Sequence, residues 1–286
     1  MGILSDLQEE IYDALASYGE LKALERLFSK KYLSGLEKSE EDALGKSALR
    51  KVYVDLAWID KIPLAQFCVP QKDFAGHPIK SKVELGDLLV HRTDSILNGN
   101  KTYVRDSRSA IIQAKISTTS QPVVPVGRVS PERATSTSKE IKLLQDWPEF
   151  DLFETSRSKA AELNRVQINN SQDNSFFWAF VKPSKQWLSG LADNGAICSE
   201  TLDEFFSKLR DRTYGQCTQA KDQWADLTFA ILGVAKNRKI PASLNKQLRC
   251  RVQRATYEVA GMGRLVRFRK PMAILMIDVV LDEGSG

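Results

Sequence analysis

Two stretches, KVELGDLLVH (residues 82–91) and SAIIQAKIS (residues 109–117), decide the reading of this chain. Both are short apolar runs bounded by turn-forming residues, the pattern of strands buried on both faces. Asn98-Gly99-Asn100 lies between them and is a strong turn signal, so the pair is expected to fold back as antiparallel neighbours. Each run carries charge in an unusual place. Asp87 follows Gly86 and precedes Leu88-Leu89-Val90, while Gln113 and Lys115 are the polar residues next to Ala110-Ile111-Ile112. Side chains alternate faces along a strand, so Gln113 and Lys115 share one side and Ala114 points to the other. A lysine within an apolar strand is costly to bury without a partner.

The chemistry such a group can do is specific. Asp87 offers a carboxylate, Gln113 a side-chain carbonyl and Ala114 a main-chain carbonyl. Oxygen donors of this kind suit Mg²⁺ or Mn²⁺ rather than Zn²⁺. A hard cation can neutralise charge on a phosphodiester undergoing hydrolysis and acidify the attacking water. Lys115 is placed to orient or deprotonate that water and to stabilise developing negative charge. D-x₂₅-Q-x-K on neighbouring strands resembles the core of the PD-(D/E)xK nuclease superfamily, in the variant with Gln before x-K. That variant is seen in Mrr-like restriction enzymes and in nuclease effectors of bacterial anti-phage systems. The likeness covers residues 80–117. It implies a restriction-endonuclease-like α/β (α+β) fold, a central mixed sheet flanked by helices. It also implies a metal-dependent endonuclease acting on DNA ahead of RNA, with Asp87, Gln113 and Lys115 as its catalytic residues. Most members add an acidic ligand; Glu84 is nearest in sequence, although strict alternation sets it on the opposite face unless Gly86 forms a bulge. Glu37, Glu40 and Glu41 are the alternatives.

Outward from these strands, a single domain over residues 1–286 is expected. Residues 1–62 read as a helical layer, with Ile3, Leu4, Leu7, Ile11 and Leu15 at spacings of three and four. A second helix is expected over Gly19–Leu36 and a third from Ser39 to Ile59, stopped by Pro63. Residues 63–117 hold the candidate strands, beginning with a short one at Ala65–Val69. Residues 118–138 are rich in Ser, Thr and Pro and are expected to form a long loop. Residues 139–286 complete the α/β core: helical turns at Glu140–Trp147, strands at Ser175–Val181 and Ala273–Leu281, and helices at Ser199–Arg212, Asp222–Val234 and Ala242–Tyr257. The Asp146-Trp147-Pro148-Glu149-Phe150 cluster could stack a base or meet a partner, but such aromatics more often anchor a loop on the core.

Composition narrows the function classes. Two histidines, His77 and His91, leave little material for zinc or histidine-based catalysis. Cys68, Cys198, Cys217 and Cys250 show no CxxC spacing, which fits reduced, buried thiols in a cytoplasm. No stretch approaches ~18 consecutive apolar residues, and the N-terminus lacks the basic-then-apolar pattern of a secretory signal. The net charge of +5 conceals an asymmetry: residues 236–270 carry 11 Lys or Arg against Glu258 alone, a local +10 that leaves the remainder at −5. Arg249, Arg251, Arg254, Arg264, Arg267 and Arg269 in that tract are the candidates for nucleic-acid phosphate contacts. There is no nucleotide-binding glycine loop. The competing expectation is a non-catalytic nucleic-acid-binding or adaptor subunit that partners a helicase or other ATPase.

Overall fold

The computed structural model describes residues 2–12, 19–45, 50–59, 63–98, 101–127, 129–169, 172–220, 222–236 and 272–282. Its elements run α1 (Ile3–Tyr12), α2 (Glu20–Leu27), α3 (Lys30–Leu44), β1 (Arg50–Ile59), β2 (Leu64–Phe67), β3 (Gln71–Lys72), β4 (Pro78–Ile79) and β5 (Val83–Glu84). The long hairpin β6 (Leu88–Asn98) and β7 (Lys101–Ser117) follows, then α4 (Ser136–Asp146), β8 (Phe150–Phe153), β9 (Leu163–Val166), β10 (Ser175–Val181) and β11 (Gln186–Leu191). The chain continues through β12 (Glu200–Thr201), α5 (Leu202–Arg210), β13 (Gln216–Cys217), α6 (Gln223–Lys236) and β14 (Met272–Asp282).

The large sheet is mixed, in the order β1-β14-β6-β7-β10-β11-β12, with β13 paired to β7. β6 and β7 are antiparallel, while β14 runs parallel to β6 and β10 parallel to β7. Asn98 pairs with Lys101, as the Asn98-Gly99-Asn100 turn signal implied. Both faces of the sheet are covered, which explains the continuous apolar runs. Leu88, Val90, Ala110, Ile112, Ala114, Phe176 and Trp178 pack under α1, α2, α3 and α5. Leu89, Ile111, Phe177, Ala179 and Ile274 face the opposite way, toward α4, α6 and the smaller sheet β5-β2-β8-β9. The molecule is therefore mixed α/β, a large mixed sheet flanked by helices.

The N-terminal layer is helical only as far as α3. The helix expected over Gly19–Leu36 is two helices, because Ser29 caps a new one by accepting the Tyr32 N–H at 3.3 Å. The third expected helix is not a separate one: α3 runs on through Gly35 and Ser39 and stops at Leu44, short of Ile59. Gly45, at φ 77°, closes α3 in a conformation glycine tolerates, and residues 50–59 form β1 against β14. Val52, Val54 and Leu56 alternate onto one core face, the period of two of a strand and not the helix expected there. The expected helix over Ala242–Tyr257 and the whole arginine set from Arg249 to Arg269 lie outside the described residues.

The segment 118–135 has little regular structure, yet it is not a free loop. Val124 and Val126 are buried in the second core, and Val123 bridges to Ile197. It ends in a capping box, in which Thr135 and Ser138 exchange side-chain and backbone hydrogen bonds to start α4. Trp147, just past α4, is buried against Trp224 and donates its Nε1–H to Ser175 Oγ at 3.1 Å. That is the anchoring role expected for its cluster.

Candidate active site

Asp87 stands one residue before β6, where the strand meets β7. Its N–H donates to the Ile112 carbonyl at 2.9 Å and its carbonyl accepts from Ala273 N–H at 2.8 Å, so the residue is locked between β7 and β14. Gly86 before it is needed for close approach: a Cβ there would lie 2.7 Å from Ile111 Cγ2 and 3.1 Å from the Ile112 carbonyl oxygen. The Asp87 carboxylate then turns toward Gln113. Its Oδ2 accepts the Gln113 side-chain amide and, at 2.9 Å, the Ala114 N–H. Asp87, Gln113 and Lys115 are all buried, at 4%, 1% and 7% exposure.

Lys115 is held by acids that arrive from elsewhere. Its Nζ lies 3.0 Å from Glu140 Oε2 on α4 and 3.9 Å from Glu20 Oε1 at the start of α2. Glu140 is 1% exposed, and its Oε1 accepts from Ser136 Oγ at 2.6 Å. The 3.0 Å approach of Lys115 to Glu140 Oε2 is a charge contact whose alignment falls short of a hydrogen bond. Gly127, at φ 119°, brings the 118–135 segment over this corner. A Cβ there would lie 3.1 Å from Thr137 Oγ1 and 3.9 Å from Lys115 Cδ.

The electrostatics follow from burial. Loss of water pushes the Asp87 carboxyl up to about 7; Lys115 opposes this, while Glu140 and Glu20 reinforce it. Burial works against the Lys115 ammonium, but Glu140, Asp87 and Glu20 outweigh it and hold the group above its ordinary range. Lys115 is therefore a fixed positive charge near neutral pH, suited to orienting water and stabilising charge rather than to taking a proton. Three carboxylates around one ammonium leave the corner rich in negative charge once Asp87 ionises. Gln113 Oε1 is buried with no hydrogen-bond partner.

These are the features a hard cation would use: an Asp87 carboxylate, an unpartnered amide oxygen and the Ala114 main chain. The Ala114 N–H already faces Asp87, and in an extended strand its carbonyl projects to the same side. Among the described residues, no three His, Cys, Asp or Glu side chains gather closely enough to hold a metal alone. A Mg²⁺ or Mn²⁺ ion at this corner would therefore need main-chain and amide oxygens and water beside the Asp87 carboxylate.

Other candidates are placed differently, and of the cysteines expected to be buried Cys198 is, while Cys68 is exposed and Cys217 half-buried. Glu84 belongs to β5, opposite Leu64 in the smaller sheet, because the chain leaves that sheet before Gly86. The carboxylates acting on Asp87 are Glu140 and Glu20 instead, and neither spacing nor periodicity linked them to Lys115. Glu40 is committed to Arg92 and Arg210. His91 is buried beside Thr93 and Ser107, and burial pushes its imidazole down to about 4, so it stays neutral. No helix among the described residues is long and apolar enough to cross a membrane. No protein-family model matches the chain, and no curated protein or solved structure matches it either.

Proposed function

We propose that the chain is a divalent-metal-dependent nuclease of the PD-(D/E)xK type, in its Q-x-K variant, hydrolysing phosphodiester bonds of DNA ahead of RNA. The observation that carries this reading is the buried convergence of Asp87, Gln113 and Lys115 at one end of the β6–β7 pair, with Glu140 and Glu20 supplied by two helices. The resemblance to a restriction-endonuclease-like fold rests on that pair within a helix-flanked mixed sheet. A Mg²⁺ or Mn²⁺ ion held by Asp87, Gln113 and the Ala114 carbonyl would polarise the phosphate and acidify a water. Asp87 would supply the negative charge for such an ion, and its release of a proton would tie binding to pH. Lys115, fixed by Glu140, presents its ammonium to the non-bridging oxygens and to the attacking water as negative charge grows. Glu140 keeps that ammonium charged and aimed. An effector role in bacterial defence against phage, in the cytoplasm, follows from the same resemblance.

The test is cleavage of plasmid DNA and of single-stranded RNA by the purified chain in Mg²⁺, Mn²⁺ or EDTA, beside Lys115→Ala. Cutting that requires metal and disappears in the folded variant supports the nuclease. Cutting unchanged in the variant would refute the site.

A second reading has its own observation. Asp87 Oδ2 already accepts two donors and Lys115 already faces Glu140, so the cluster can satisfy itself without a ligand. On that reading the chain is a non-catalytic nucleic-acid-binding or adaptor subunit of a helicase or ATPase. Absence of cleavage together with co-purification of such a partner would favour it.

A further inference from the structure

Arginines gather at the other end of the same hairpin. A cavity of about 230 Å³ is lined by Arg92, Asp94, Arg105, Arg210 and Arg212 over an apolar floor of Leu44, Val279 and Leu281. Counting residues from Asp87 to Arg92 at the rise of a strand puts it roughly 17 Å from the candidate active site. It also lies on the other face of the sheet, beneath α3 and α5. It is independent of the nuclease reading.

The charges there do not cancel. Glu40, 1% exposed, joins Arg92 (Nη1 to Oε2, 2.7 Å) and Arg210 (Nη1 to Oε1, 3.2 Å) from behind. Asp94 Oδ1 lies 3.0 Å from Arg92 Nε, and both atoms are buried without an aligned hydrogen bond. Arg210 also passes Asp211 at 3.9 Å. Arg212 reaches Asp106 only at 3.6 Å, and Arg108 holds that carboxylate more closely, at 2.9 Å. No described residue pairs with the side chain of Arg105. It is the extra residue of a bulge, since Asp94 pairs with Asp106 but Ser95 pairs with Val104. Four guanidiniums thus line a concavity that contains one carboxylate, and a 98% buried arginine among them keeps an unsatisfied Nε–H.

We infer that this cavity is a binding site for the phosphate groups of a small ligand bearing a diphosphate. Guanidinium forks match phosphate oxygens in pairs, and a desolvated arginine with a spare donor gains most from such a partner. The size favours a small ligand. The cavity is below the ~300–1,000 Å³ of whole small-molecule sites, so it holds the phosphates and leaves the rest of the ligand outside. Recognition of a nucleic-acid backbone would instead need a basic groove that runs along the surface.

The experiment is calorimetric titration of the full chain with pyrophosphate at physiological ionic strength. EDTA is present throughout, so that no cation bridges the ligand. The comparison is the double variant Arg105→Ala/Arg212→Ala, whose two side chains lie at the exposed rim. One pyrophosphate per chain is expected, weakened at least about ten-fold in the double variant, the loss of one or two charge-assisted hydrogen bonds. Inorganic phosphate should bind the same site more weakly, and circular dichroism should show both proteins folded. No binding of pyrophosphate at roughly 10 mM, or binding equal in the two proteins, overturns the assignment. So does a single-stranded oligonucleotide that binds more tightly than pyrophosphate and loses the same affinity in the double variant, since that identifies a nucleic-acid contact.

Discussion

The two ends of the β6–β7 hairpin carry charge of opposite balance. At one end Asp87, Glu140 and Glu20 surround the single ammonium of Lys115. At the other, Arg92, Arg105, Arg210 and Arg212 line a cavity with Asp94, and Glu40 sits behind two of them. On the two proposals, a cation would offset the acidic excess at one end, and a phosphate would meet the exposed guanidiniums of Arg105 and Arg212 at the other. The two proposed sites lie at opposite ends of one pair of strands and on opposite sheet faces.

The difference can be broken most sharply at Lys115. Lys115→Ala should lower cleavage by about 10²–10³-fold, the usual loss when a preorganised stabiliser of transition-state charge is removed. Glu40→Ala at the basic end should leave cleavage within a few-fold in protein that remains folded. In stability the two ends should differ in degree. Lys115→Met strands the buried Glu140 and should cost about 3–5 kcal/mol by chemical denaturation, while Glu40→Ala leaves the buried Arg92 with Asp94 and should cost less. A cost near zero at either end would mean that the charges there are solvated.

The effect of pH separates them further. Asp87 titrates at about 7 in the folded chain, against an ordinary carboxylate value of ~3.9 when unfolded. The unfolded chain therefore loses this proton first. The stability contributed by neutral Asp87 is full below about pH 4 and is gone once pH rises through about 7. Asp87→Asn should flatten that part of the profile and gain roughly 1–3 kcal/mol at pH 8 while changing little near pH 4, read as unfolding midpoints across pH. The smallest effect concerns the helix that delivers Glu140. Thr135→Ala removes its cap and should cost about 1 kcal/mol, with a modest loss of cleavage through Lys115.

How much of this the residues announce depends on whether the cause is local. β6, β7, β10 and β14 are buried on both faces, so their apolar runs stand out, and Asp87, Gln113 and Lys115 stand out as exceptions within them. β1 is hard to read from sequence because its alternation follows directly on a helix, and β8, β9 and β11 because they are short and flanked by turns. Glu140 and Glu20 had no local signal. One meets Lys115 only after the chain returns through 118–135, the other only because α2 docks beside β7. The arginine cavity takes its side chains from both hairpin strands and the end of α5, so no dense basic run in the sequence marks it.

The most direct measurement is Mn²⁺ binding by calorimetry at pH 8 and pH 6, with Asp87→Asn as the comparison. One Mn²⁺ per folded chain is expected at pH 8, weaker at pH 6 because Asp87 must first give up its proton, and abolished in the variant. Equal binding in wild type and Asp87→Asn, or no binding at either pH, would contradict a cation site at the Asp87–Gln113–Lys115 corner.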